Sequence, residues 1–133
     1  MNKNLFISVI ISSLFIVALP AKAIETRCGW LLVPTPGNRY LIDKDGTWTI
    51  GAQGGYQAKG IENIPNADDK EVVRTNGNYG YNCTCLNVTV NSNLRRILEI
   101  QGGEALPLST CREDPNLPKS PSLHHRNLLA VAD

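Results

Sequence analysis

The spacing of four cysteines is the strongest constraint that this 133-residue sequence places on its fold. Cys83 and Cys85 are separated by one residue in a β-prone run, where side chains two apart point to the same face of a strand. A bond between them would close a strained, very small ring. Two pairings therefore stay open: Cys28–Cys83 with Cys85–Cys111, or Cys28–Cys85 with Cys83–Cys111. Either pairing ties both ends of the domain to one face of a central strand.

The first 23 residues predict a secretory signal. Met1–Lys3 is basic, Leu5–Leu19 is almost wholly apolar, and Ala21-Lys22-Ala23 offers the small residues that a signal peptidase reads. We expect cleavage after Ala23, which gives a periplasmic or secreted protein. The apolar run is shorter than the roughly 20 residues that a membrane-spanning helix needs, and no later segment is as apolar. We therefore expect no membrane contact after signal removal, and two disulfide bonds in an oxidising compartment.

The remaining residues, 24–133, are long enough for a single domain. Their positive and negative charges are almost equal in number. Two of the 13 basic residues, Lys3 and Lys22, leave with the signal, so 11 Lys and Arg face 12 Asp and Glu. A nucleic-acid-binding domain usually carries a basic patch, and the only basic cluster here is Arg95-Arg96. We therefore predict no nucleic-acid partner.

The sequence predicts no metal site, no cofactor and no catalytic residues. A Cys-x-Cys with two distant single cysteines lacks the paired Cys-x-x-Cys units of structural zinc sites. Asp43-Lys44-Asp45-Gly46 resembles part of a calcium loop, but the twelfth position counted from Leu41 is Ala52, where such a loop needs glutamate. Both histidines, His124 and His125, lie in the predicted tail, so a histidine base would come from an unanchored segment. These observations favour a protein that does not catalyse a reaction.

Short β-prone runs bounded by turn residues dominate the chain, and helical periodicity is scarce. Lys44-Asp45-Gly46 joins two runs as a hairpin, since Gly46 can take the positive φ that a bulged turn needs. The last run predicts a strand, with a helix over 94–100 as the weaker alternative. The predicted strands are 30–33, 39–43, 47–50, 72–75, 83–90 (entered through 79–82) and 96–100. We predict a mainly β fold: a small antiparallel sheet or partly open barrel stapled by two disulfides, with long irregular loops.

Two segments fall outside the predicted strands. Residues 51–71, with Gly54-Gly55 near their start, form a long irregular loop, and such loops in compact domains are often functional. From Pro115 the composition turns to proline, serine and polar residues, which predicts a loose tail. We place the disulfide-stapled β domain at 24–118 and a disordered tail at 119–133.

Tyrosines interleaved with glycines are the candidate binding residues. Aromatic rings beside flexible backbone can contact a protein strand, a peptidoglycan fragment or a sugar. Trp30 and Trp48 are instead predicted to lie in the core. The candidate binding residues are Tyr56, Tyr79, Tyr81, Gly54 and Gly55.

Several short motifs occur in order along the chain: Cys28-Gly29-Trp30, Asp45-Gly46-Thr47-Trp48, Tyr79-Gly80-Tyr81-Asn82-Cys83-Thr84-Cys85 and Ala105-Leu106-Pro107-Leu108-Ser109-Thr110-Cys111. With these motifs the sequence resembles an uncharacterised family of small exported proteins of Gram-negative bacteria, a domain of unknown function. The resemblance covers about residues 27–118 and leaves the tail from Ser120 outside. It implies a periplasmic or secreted bacterial setting and carries no activity with it.

These patterns predict a non-catalytic exported binding or accessory module of the bacterial envelope. Its partner would be an envelope protein or a cell-wall component, and inhibition of a hydrolase is one concrete form of such binding. The alternative hypothesis is thiol–disulfide exchange through Cys83 and Cys85. The identity of the ligand and the oligomeric state stay open.

Overall fold

The computed structural model describes residues 10–18 and 22–122. Residues 10–18 belong to the predicted signal, and their large apolar side chains are 81% to 90% exposed, so this segment takes no part in the core. The rest of the signal up to 21 and the tail from 123, with His124 and His125, lie outside the described residues. No helix in the described ranges is long and apolar enough to cross a membrane.

Six strands form one mixed sheet that closes on itself. The strands are β1 (Glu25–Thr35), β2 (Asn38–Asp43), β3 (Gly46–Gly51), β4 (Val73–Asn76), β5 (Tyr79–Asn91) and β6 (Arg96–Leu106). Their order is β1-β2-β3-β6-β5-β4, and an additional pairing between β1 and β5 completes a ring of five strands. The last predicted run is therefore strand β6, and the helical alternative over 94–100 is wrong.

The ring is a partly open barrel, which confirms the predicted fold class. β3 and β6 pair only at Thr49 and Arg96, in parallel, while all other strand pairs are antiparallel. The short β4 lies outside the ring, whose order is β1-β2-β3-β6-β5 and back to β1. If the five ring strands are renumbered 1 to 5 along the chain, this order is 1-2-3-5-4. It is the connectivity of the five-stranded Greek-key barrel called the OB-fold. The long loop after β3 packs Ile61 and Ile64 against the barrel interior.

Two hydrophobic clusters lie on opposite sides of the barrel wall, because side chains alternate along each strand. The interior cluster contains Leu31, Leu41, Trp48, Ile50, Ala58, Leu86, Val88, Ile97 and Ile100. The second cluster, called here the outer core, contains Trp30, Leu32, Ile42, Cys83, Leu108, Cys111 and Leu117. Both tryptophans are at most 2% exposed, as predicted for core residues.

A C-terminal strap, residues 107–118, covers the outer core. It begins with the short helix α1 (Leu108–Arg112), which places Leu108 and Cys111 against the barrel. Leu117 is 8% exposed, and the Trp30 indole Nε1 donates to the Pro118 carbonyl oxygen at 2.8 Å. The predicted start of the loose tail at Pro115 is therefore too early in the chain, because Leu117 packs against apolar side chains of the folded barrel.

The structure selects one of the two open disulfide pairings: Cys28–Cys85 and Cys83–Cys111. Cys28 and Cys85 are direct partners in the antiparallel ladder of β1 and β5, with 4.0 Å between their Cα atoms. Cys83 lies two residues away on the same face, beneath α1 with Cys111. One bond thus joins two neighbouring strands, and the other attaches the strap to the barrel.

A cluster of charges around Arg27 closes one end of the barrel. The guanidinium of Arg27 contacts the carboxylates of Asp43 at 2.7 Å, Asp45 at 3.0 Å and Glu25 at 2.9 Å. It also lies 3.9 Å from the centre of the Trp48 ring. Asp43 accepts from the Trp48 Nε1 at 3.1 Å and from the Asp45 backbone N–H at 2.9 Å. These contacts confirm a structural hairpin turn where the calcium-loop resemblance fails.

Candidate binding cleft

A cleft of about 580 Å³ lies outside the barrel, against β5 and β6. Its volume falls within the range of about 300 to 1,000 Å³ that is usual for small-molecule sites. The loop after β3 forms one wall, the two strands form the floor, and the residues before β1 form the rim. The lining residues are Lys22, Ile24, Tyr56, Gln57, Lys59, Thr89, Leu98, Glu99 and Gln101.

The loop wall is held to the barrel by backbone hydrogen bonds. The Ala58 N–H donates to the Ile50 carbonyl at 2.8 Å, and the Lys59 N–H donates to the Leu98 carbonyl at 3.0 Å. The Ile100 N–H donates back to the Lys59 carbonyl at 2.9 Å. Gly60 then turns the chain away with φ of 75°, at a place where a Cβ would collide with the Ile100 carbonyl oxygen. Lys59 is therefore fixed beside β6, although it lies in a long irregular loop.

Tyr56, one of the predicted binding residues, lies where the cleft meets the barrel interior. Its hydroxyl donates to the Ile97 carbonyl at 2.7 Å, and the Arg96 guanidinium lies 4.7 Å from the centre of its ring. Burial of the side chain raises the pKa of Tyr56 above its ordinary value of 10.0, and the Arg96 charge opposes part of that rise. The ring is thus held neutral and oriented on one wall of the cleft.

The raised pKa of Tyr56 predicts a loss of stability in alkali. The native state keeps the phenol proton more tightly than the unfolded state, so this stabilisation is complete below pH 10.0 and falls as pH rises through the higher native pKa. In Tyr56→Phe this component should be absent. Urea unfolding between pH 8 and 12 measures it, and ultraviolet phenolate titration of the wild type minus the variant should give a midpoint above 10.0. A difference titration centred at or below that value would contradict the prediction.

The structure places the other predicted binding residues elsewhere. Gly54 and Gly55 are exposed in the turn just before Tyr56 and do not line the cleft. Tyr81 packs edge-on against Trp30 in the outer core, with 5.3 Å between ring centres. Tyr56 contacts Ile97, whose partner on β5 is Val90, so Tyr81 is nine residues, about 30 Å, away along that strand.

Tyr79, half-buried, precedes Tyr81 at the start of β5. The five predicted residues therefore form two groups at different ends of the barrel. One group contains Gly54, Gly55 and Tyr56, and the other contains Tyr79 and Tyr81. Binding by either group stays a prediction, and the cleft lies beside the first group.

Several cleft residues were missed by reasoning from sequence. Thr89 occupies an outward position on a predicted strand, so the period-two alternation could have found it. Glu99 could not be found in this way, because an irregularity in the β5–β6 register places both Ile97 and Ile100 in the interior. Lys59 had no such signal, because its position depends on the parallel bridge between the loop and β6.

The disulfide pairing bears on the thiol-exchange hypothesis, which would use Cys83 and Cys85 as a pair of neighbouring thiols. Cys83 and Cys85 are bonded to different partners, and the described residues contain no free cysteine. No three metal-ligating side chains come together within the described ranges. Thiol exchange through Cys83 and Cys85 stays a prediction that would have to begin by opening one of these bonds.

The fold and its two bonds define a small disulfide-bonded β-barrel domain, a type found in oxidising, extracytoplasmic compartments. The profile of a family described as protein of unknown function (DUF4087) matches residues 22–118, and the chain belongs to this family. No curated protein and no solved structure matches the chain significantly. The match spans the barrel and the strap together.

Proposed function

We propose that this protein is a non-catalytic binding module of the bacterial envelope, and that the cleft beside Tyr56 holds its ligand. The observation that carries the proposal is the cleft itself, which has the volume of a small-molecule site and walls fixed by backbone hydrogen bonds. A wall with a fixed backbone lowers the entropic cost of binding, because that backbone needs no further ordering. The ligand would be a cell-wall component or a segment of an envelope protein.

Export to the periplasm or the medium is part of this proposal. The signal-like start of the chain and the two disulfides support it. Lys22 and Ile24 lie on the rim of the cleft, on either side of the expected cleavage point. Processing would remove Lys22, widen the entrance and leave the new α-ammonium group on Ile24 at the rim.

The surface that OB-folds commonly use for binding is partly covered in this protein, which favours the cleft as the binding site. OB-folds bind oligonucleotides and oligosaccharides over their second and third strands. In this protein the strap packs on Ile42 of the second strand and covers part of that surface. The balanced charge of the mature chain also disfavours oligonucleotides. The cleft on the fourth and fifth ring strands remains open.

Filling the cleft tests the proposal. Gln101 is exposed on β6 and lines the cleft, so Gln101→Trp should block it without disturbing the core. Glu104→Trp is the matched control, on the same strand, exposed and outside the cleft. Processed protein with its disulfides formed is incubated with purified peptidoglycan and with envelope extract, and retention is measured by co-sedimentation and pull-down.

We expect the wild type and Glu104→Trp to retain the same partner and Gln101→Trp to lose it by at least about tenfold, because the indole occupies the ligand's volume. Circular dichroism and thermal unfolding should be alike for the two variants. Equal retention by both variants would overturn the assignment of the site, and turnover of a wall substrate would overturn the non-catalytic role.

A further inference from the structure

Two residues of opposite charge lie side by side where the loop wall of the cleft meets its floor. Lys59 and Glu99 are direct partners in a parallel β-bridge, so their side chains leave the same face about 4.8 Å apart. Yet the four ion pairs within the described part of the chain all involve Arg27 or Arg74. The Lys59 ammonium and the Glu99 carboxylate therefore both line the cleft without pairing with each other.

A hydroxyl group that is open to the cleft lies beside these charges. Thr89, the ladder partner of Glu99 on β5, is only 9% exposed and lines the same cleft. Among the described residues its hydroxyl forms no hydrogen bond, and none of their buried side-chain oxygens lacks a partner, so the Thr89 oxygen is accessible from the cleft. A molecule in the cleft would form a hydrogen bond with it. The side-chain amide of Gln101, on the floor of the cleft, also forms no hydrogen bond with the described residues.

We infer that the cleft binds a short peptide that carries both a free ammonium group and a free carboxylate. Lys59 would take the carboxylate and Glu99 the ammonium group, while Thr89 and Gln101 would bond the peptide amide. Leu98 and Ile24 offer apolar contact for small aliphatic side chains. This inference rests on the proposed function and names the ligand class of the same cleft.

Other ligand classes use these groups less well. A phosphate or another simple anion would face repulsion from Glu99, and a simple cation would face repulsion from Lys59. A neutral sugar would offer hydroxyl groups to both side chains but no opposite charge to either, so its hydrogen bonds would be weaker than those of a charged partner. A molecule with one charge of each sign pairs with both groups. Lys59 and Glu99 are neighbours on the bridge, and the ammonium and carboxylate groups of a small peptide are also a short distance apart.

The test measures binding of three probes by calorimetry to the processed, oxidised protein. The probes are the dipeptide Ala-Ala, its N-acetyl form without the ammonium group, and its C-terminal amide without the carboxylate. We expect Ala-Ala to bind about tenfold or more tightly than either blocked form, since each loses a hydrogen bond between charged groups. Equal binding of the three probes would overturn the inference.

Two variants assign each charge to its partner. Lys59→Gln should remove the preference for Ala-Ala over its amide and keep the preference over the N-acetyl form. Glu99→Gln should do the reverse. Lys44→Gln, on the exposed turn between β2 and β3, is the control and should change neither preference. Both preferences surviving in both variants would also overturn the inference.

Two further arms identify the source and separate this inference from the proposed function. A soluble disaccharide-tetrapeptide from peptidoglycan that binds with the same dependence on Lys59 and Glu99 indicates the wall, and binding of Ala-Ala alone indicates free peptides. If Ala-Ala does not bind while Gln101→Trp still abolishes retention of an envelope partner, the ligand class is wrong and the cleft is right. If Gln101→Trp retains the envelope partner as well as the wild type does, both the ligand class and the proposed function are wrong.

Discussion

Replacing Asp43 by alanine is expected to lower the free energy of unfolding by about 3 to 5 kcal/mol, because it removes the most buried of the three carboxylates that contact Arg27. The Asp43 side chain is 3% exposed and that of Arg27 is 14% exposed, with 2.7 Å between the guanidinium and the carboxylate. The same carboxylate accepts the Trp48 indole N–H and the Asp45 backbone N–H. The substitution therefore also removes the partners of two further donors at the end of the barrel.

Urea unfolding followed by circular dichroism measures this effect, and Asp45→Ala is the matched control. Asp45 contacts the same guanidinium at 3.0 Å, but its side chain is 48% exposed, so its loss should cost less than about 1 kcal/mol. Asp43→Asn keeps the shape of the side chain and should fall between the two. Equal destabilisation by Asp43→Ala and Asp45→Ala would show that burial does not set the strength of this cluster.

The second large effect is expected from removing the bond between the strap and the barrel. The double variant Cys83→Ala/Cys111→Ala should lose about 3 to 4 kcal/mol of stability, since the bond closes a loop of 28 residues. It should also loosen the strap locally, because Cys83 and Cys111 are 1% and 2% exposed at the centre of the outer core. Arg112, exposed within the strap, then becomes a readily cleaved trypsin site.

The double variant Cys28→Ala/Cys85→Ala separates the local effect from the general loss of stability. Its bond joins two strands that are already paired along nine positions, so the strap should stay in place although the global stability falls by a similar amount. Limited trypsin digestion under native conditions, read by mass spectrometry, should show fast cleavage after Arg112 only when the Cys83–Cys111 bond is absent. Cleavage at the same rate in both double variants would contradict the role given to the strap bond.

The strands were largely predictable from the sequence, whereas their ends were not. Turn residues and alternation predicted all six runs, because a strand with one buried face has a period of two. β1 begins at Glu25, five residues before the predicted start, since its first residues are polar and pair with β5. β6 continues to Leu106 through Gly102-Gly103, which resembles a turn in isolation but is paired with β5.

The site was much less predictable than the fold. The glycine-rich surroundings of Tyr56 predict it as a binding residue, and Tyr56 lines the candidate cleft. Lys59 and Glu99 are 40 residues apart in sequence and meet only through the bridge between the loop and β6. Gly54 and Gly55, which the sequence predicts as binding residues, lie in an exposed turn outside the cleft. A cleft depends on which segments lie next to each other, and local composition carries little information about that.

By itself the sequence determined the β class, the hairpin turns, and the shared face of Cys83 and Cys85, because these follow from side-chain alternation and the φ freedom of glycine over a few residues. Only the tertiary structure decided that Cys28 pairs with Cys85, that the strap covers Trp30, and that a loop forms the wall of the cleft. Each of these depends on distances between residues far apart in the chain, which are set when the ring of strands closes.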